Sequence, residues 1–124
     1  MAEVGSWIAV VDDDPSVLKA LMRLLRTRAY QAKTYESARE FLAALPSGFP
    51  ECLIVDLQMP EMSGLELHQH LTRRGIDIPT IIITAHDDSE ARQRCESAGA
   101  AAYLLKPLHD IELFAAIDKA RGAP

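Results

Sequence analysis

Five side chains set the chemistry of this sequence: Asp12, Asp13, Asp56, Thr84 and Lys106. Apolar runs deliver them: WIAVV before Asp12, CLIV before Asp56, PTIII before Thr84 and AAYLL before Lys106. Carboxylates held at ~4 Å repel by about 4 kcal/mol per pair at an effective dielectric of ~20, so protons or a hard cation must answer them. All-oxygen ligands without His or Cys point to Mg²⁺, which takes one or two carboxylates and keeps waters for other ligands. Lys106 adds a second positive charge. Such a pocket stabilises an incoming phosphoryl group, and a carboxylate oxygen attacking phosphorus yields an acyl phosphate. The Thr84 hydroxyl suits a hydrogen bond to the new phosphoryl oxygens.

These residues are far apart in sequence, so the fold must gather them. Apolar strand patterns alternate five times with helical ones. The predicted strands are Trp7–Val11, Gln31–Tyr35, Cys52–Val55, Pro79–Thr84 and Ala101–Leu105. Four are near-continuous apolar runs, as in strands buried on both faces. The second carries Lys33 and suits an edge. The first helix starts at Asp14-Pro15, a capping carboxylate followed by proline, with Val17, Leu18, Leu21, Leu24 and Leu25 inward. Ser37 and Glu40 form a capping-box pattern for the second, with Phe41, Leu42 and Leu45 inward and Pro46-Ser47-Gly48 as its end. The third runs from about Leu65 to Arg74, stopping at Gly75. The fourth, Ser89–Ala98, starts behind Asp87 and Asp88 and has a thin apolar face of Ala91, Cys95 and Ala98. Asp110 is expected to cap the fifth, with Ile111, Phe114 and Ile117 inward.

This alternation predicts an α/β fold: a doubly wound (βα)5 open parallel sheet covered on both faces. In such sheets ligands sit outside the carboxyl ends of the strands. Asp12, Asp13, Asp56, Thr84 and Lys106 all fall there.

With 124 residues the chain reads as a single domain, 1–124, with a core of about 7–121 and a tail or cut linker at 122–124. Net charge is −5 and no Lys/Arg run stands out, which argues against nucleic-acid binding by this domain alone. No apolar run approaches the ~18 residues of a membrane span, and the N-terminal MAEVGSWIAVV lacks a secretory pattern, so a cytoplasmic protein is expected. Cys52 and Cys95 lack partners at metal-ligand spacing and read as reduced, half-buried thiols. His68, His70 and His109 read as polar helix or loop residues, and Met59 and Met62 as loop packing.

The chain resembles the receiver domains of two-component response regulators, close to receivers that precede DNA-binding output domains. VVDDDPSV, LIVDLQMPEMSGLEL, PTIIITA and GAAAYLLKP carry the resemblance, over about residues 7–121. It implies a flavodoxin-like strand order 2-1-3-4-5 and a Mg²⁺-dependent phosphoacceptor switch, not a turnover enzyme. Asp56 would be phosphorylated by a histidine kinase or histidine phosphotransfer protein. Asp13 would ligate Mg²⁺ directly, Asp12 would help through water or outer contacts, and Asp56 and the Gln58 backbone carbonyl would complete the metal site. Lys106 would bind Asp56 and then the phosphoryl group, with a cis peptide to Pro107. Thr84 would move toward that group and Tyr103 would swing inward behind it. Ala85 would keep the pocket mouth open, while Gln58 and His86 would tune dephosphorylation. The face of fourth helix, fifth strand and fifth helix would change, for homodimerisation or effector docking. Two positions depart from the family pattern: Ala29 replaces a glycine and Leu108 a phenylalanine.

Two other functions compete. One is a small Mg²⁺-dependent phosphohydrolase with an Asp nucleophile on the first strand, for which Asp12 and Asp14 form a D-x-D pair. The other is a flavin module of the same topology, which DDDP would oppose by repelling a phosphate.

Overall fold

The structure, a computed structural model, describes residues 6–122. The expected N-terminal pattern up to Gly5 and the tail beyond Gly122 lie outside the described residues. The strands are β1 (Trp7–Val11), β2 (Gln31–Tyr35), β3 (Cys52–Asp56), β4 (Thr80–Thr84) and β5 (Ala102–Leu105). The helices are α1 (Pro15–Arg26), α2 (Ala38–Ala44), α3 (Gly64–Arg73), α4 (Ser89–Ser97) and α5 (Asp110–Ala120), with a 3-10 turn at Leu45–Ser47. All strand pairs are parallel and the order is β2-β1-β3-β4-β5. The expected strand order therefore holds, with the lysine-bearing β2 at an edge.

Alternation along the strands divides the core into two layers. Ile8, Val10, Ile54, Ile81 and Ile83 face α1 and α5. Ala9, Val11, Leu53, Val55 and Ile82 face the side covered by α2, α3 and α4. β3 and β4 are buried at every position, which explains their unbroken apolar composition.

Helix ends follow local chemistry. The Asp14 carboxylate accepts from the Ser16 N–H at 2.9 Å and its hydroxyl at 2.7 Å, with Pro15 beginning α1. Three helices close alike: the Tyr30, Ile76 and Ala100 N–H groups reach back to the Leu25, Leu71 and Cys95 carbonyls. This closure needs a left-handed residue, supplied by Gly75, Gly99 and, at φ 60°, Ala29. Alanine there costs roughly 1 kcal/mol.

Several expectations are corrected. Phe114 and Ile117 face inward as expected, but Ile111 is 77% exposed; Leu113 takes its place, because it shares the i, i+4, i+7 stripe with Ile117 and Ala120 whereas Ile111 points to the opposite side of the first turn. Asp110 does not cap that helix: His109 precedes it, and the Asp110 carboxylate accepts from the adjacent Ile111 N–H instead. Ser37 accepts from Glu40 N–H, but Glu40 reaches Glu36 N–H rather than closing the reciprocal box. The full box is Ser63 with Glu66, on α3. Cys52 and Cys95 are fully buried, not half-buried, and are free thiols.

Candidate functional site

Parallel pairing sets the ends of β1, β3, β4 and β5 side by side. Val11 is in register with Val55, Asp56 with Ile83, and Thr84 with Leu105. Asp12, Asp56, Thr84 and Lys106 therefore reach one edge, and Asp13 continues from Asp12. One carboxylate oxygen from each of Asp12, Asp13 and Asp56 lies within 4.8 Å of the other two. Asp12 is 0% and Asp56 6% exposed, whereas Asp13 faces solvent.

Lys106 is the compensating charge. Its Nζ lies 2.9 Å from Asp12 Oδ2 and 3.4 Å from Asp56 Oδ1. The amine thus pairs more closely with Asp12 than with Asp56. Burial pulls the ammonium downward, but its contacts with Asp12 and Asp56 prevail and hold it above the ordinary lysine value. Asp56 lies above the usual carboxylate range, first because it is buried and then because Asp12 repels it. The Gln58 N–H and Lys106 oppose that rise. Asp12 Oδ1 accepts from the Asp14 N–H at 2.9 Å. Asp12 Oδ2 is buried, with the Lys106 ammonium at 2.9 Å as its ion-pair partner. Three carboxylates converging beside one ammonium form an all-oxygen donor set that fits a hard divalent cation.

Thr84 is fully buried, and its hydroxyl accepts from the His86 N–H at 3.2 Å. Tyr103 is buried in the layer that holds Cys95; the Arg92 guanidinium of α4 sits 4.8 Å from its ring centre. Its hydroxyl is buried without a hydrogen-bond partner. Gln58, Ala85 and His86 are exposed. The Lys106-Pro107 peptide is cis, as expected, and Leu108 packs against the α1/α5 layer.

Two supporting residues escaped the sequence reading. A Cβ on Gly64 would stand 2.6 Å from the Asp56 carbonyl oxygen, so only glycine lets α3 start against the site loop. Its place after Ser63 was the available signal. His68 lies on α3, as a polar helix residue should, but is buried and bonded: Nδ1 lies 3.1 Å from Thr80 Oγ1 and Nε2 2.9 Å from the Ala98 carbonyl. No sequence pattern announces that contact.

Comparison with known proteins assigns the family. The response regulator receiver domain family matches residues 8–118. The chain belongs to that family. Among its relatives, the response regulator protein TodT of Pseudomonas putida is 38% identical over 117 residues, spanning 94% of this chain and 52% of that protein. The transcriptional regulatory protein FixJ of Rhizobium meliloti is 37% identical over 113 residues, spanning 91% of this chain and 55% of FixJ. The chain thus spans about half the length of the curated relatives it matches. The crystal structure of FixJ-N aligns with a TM-score of 0.86 at 34% identity, over 98% of this receiver and 95% of that one. A receiver protein from Burkholderia phymatum aligns at 0.83 and 42% identity, over 97% and 98% of the two chains.

Receiver domains are phosphoacceptor switches of two-component signalling, and that is the class of this domain. The phosphohydrolase alternative is not favoured. Its D-x-D pair does not form, because Asp14 is committed to the Ser16 cap while Asp12 faces Lys106. Among the described residues, no helix is long and apolar enough to cross a membrane.

Proposed function

We propose that Asp56 is the phosphoacceptor of this receiver, taking a phosphoryl group from a histidine kinase or histidine phosphotransfer protein. One observation carries this reading: Asp56 is buried at the end of β3, next to two more carboxylates and 3.4 Å from the Lys106 ammonium. An Asp56 oxygen attacks phosphorus and forms a P–O bond. The donor's P–N bond breaks, and its electron pair returns to the imidazole. Lys106 balances charge on the acceptor and then on the phosphoryl oxygens. Thr84 offers its hydroxyl proton to one of those oxygens. Asp13, with the Gln58 carbonyl, would hold Mg²⁺, and Asp12 would support it through water. The bound cation would supply charge neutralisation at the phosphoryl oxygens.

Tyr103 already lies inward here, so its part in the switch would be a new partner for its buried, unpaired hydroxyl as Thr84 moves, shifting the α4, β5 and α5 face. The thin core face of α4, with only Ala91 and Cys95 buried, makes it the element easiest to displace. That face would then dimerise or dock an effector. Gln58 and His86 would govern access of the hydrolytic water; swapping both should change the lifetime of the phosphorylated form. The transcriptional names of FixJ and the NtrC regulator of Salmonella typhimurium favour control of a DNA-binding output. Residues 1–124 are read as one receiver unit, with the kinase encounter in the cytoplasm.

Incubation with Mg²⁺ and a small phosphodonor, followed by intact mass, tests the assignment. One phosphoryl group should be added, and none in Asp56→Asn. A gain that survives that substitution would overturn it.

A further inference from the structure

We propose that the groove between α1 and β2 binds an acidic, partly apolar segment of a partner protein. It runs along the outer side of α1 and β2, from Leu18 and Thr34 at one end to Trp7 and Gln31 at the other, outside the carboxylate pocket.

The charge distribution is the first ground. Residues 15–35 contain five basic side chains and no carboxylate, in a chain whose net charge is −5. Folding gathers four of them. Lys19, Arg23 and Arg26 recur at helical spacing on the exposed side of α1, and Lys33 stands on the neighbouring edge strand. Among the described residues, none of these four pairs with a carboxylate. The fifth, Arg28, lies 4.2 Å over the Phe114 ring and belongs to the α5 side.

Shape is the second ground. The cations rim two adjoining grooves of about 450 and 320 Å³, which share Met22 and Arg26. Trp7, Tyr30 and Ala32 add apolar floor to the first, and Leu18 to the second. A cationic rim over an apolar floor matches carboxylates interspersed with aliphatic or aromatic anchors. It suits nucleic acid less well. The Lys33 ammonium covers one face of the Trp7 ring at 4.4 Å and Tyr30 stacks on Phe114, so neither ring offers two free faces for bases to stack between, although both still line the groove. A long polyanion would also meet the negative remainder of the surface, whereas a short acidic segment would not.

The test is titration of the ¹⁵N-labelled receiver with a synthetic peptide of alternating Glu and Leu residues. A Lys-for-Glu peptide, single-stranded DNA of equal length and phosphatidylglycerol vesicles run beside it. Amide shifts should cluster between residues 17 and 35. Lys19→Glu/Arg23→Glu/Arg26→Glu should weaken binding at least ~10-fold, with phosphoryl uptake unchanged. Lys33→Glu, on the other wall, gives an independent reading if the triple variant folds poorly. Undiminished binding by the folded variants, shifts centred elsewhere, or tighter binding of DNA or vesicles than of the peptide would each overturn the proposal.

Discussion

His68 Nε2 lies 2.9 Å from the carbonyl oxygen of Ala98, tying α3 to the C-terminal cap of α4. Nε2 faces a carbonyl and so carries the ring proton. α4 contributes little apolar surface of its own, with only Ala91 and Cys95 buried, and this polar link adds to their hold. His68→Ala should destabilise the fold by about 2–4 kcal/mol, through a cavity and two deserted partners. Hydrogen exchange should accelerate first in α4. Uniform acceleration across the sheet would contradict a local tether.

Lys106 holds two buried carboxylates, so Lys106→Met should cost roughly 3 kcal/mol in urea denaturation without divalent ions. Mg²⁺ should restore more stability to this variant than to the parent, because the cation takes over the missing compensation. Equal metal-induced rises in melting temperature would count against a shared role.

Asp56 carries the opposite prediction. Burial and the neighbouring Asp12 raise its proton affinity in the folded state above the unfolded value of 3.8. Ionising it therefore opposes folding, and the penalty grows as pH rises from 3.8 through the folded-state value. Asp56→Asn should raise stability at neutral pH by on the order of 1 kcal/mol in metal-free buffer, with the gain shrinking toward pH 4. A gain independent of pH would point to packing instead.

The three adjacent acids should separate by function. Asp13→Ala should abolish Mg²⁺ affinity in a metal titration. Asp14→Ala should lower the melting temperature by removing the α1 cap and leave that titration nearly unchanged. Matching metal isotherms for the two variants would refute this division of labour.

Reaction of the thiols provides a check on packing. Burial pushes Cys52 up to about 12, and Cys95 is raised for the same reason. Neither should react with a disulfide reagent at pH 8 in the native state, and both should in denaturant. Labelling of Cys95 alone would reveal opening of α4.

The sequence by itself determined the strand count, the edge position of β2 and the convergence of Asp12, Asp56, Thr84 and Lys106. Those conclusions rest on periodicity and on the rule that parallel strands present their carboxyl ends together. It also separated Asp14 from its neighbours, because a capping carboxylate before proline is a local signal. Tertiary structure decided what depends on distance across the fold. Lys106 sits closer to Asp12 than to Asp56, Gly64 admits the Asp56 carbonyl, and His68 reaches Ala98 across α3 and α4. The inner face of α5 likewise passed to Leu113 rather than Ile111, since both are apolar and only docking on the sheet chooses between them. Local patterns encode elements and the edge they reach; side-chain partners are chosen when the layers pack.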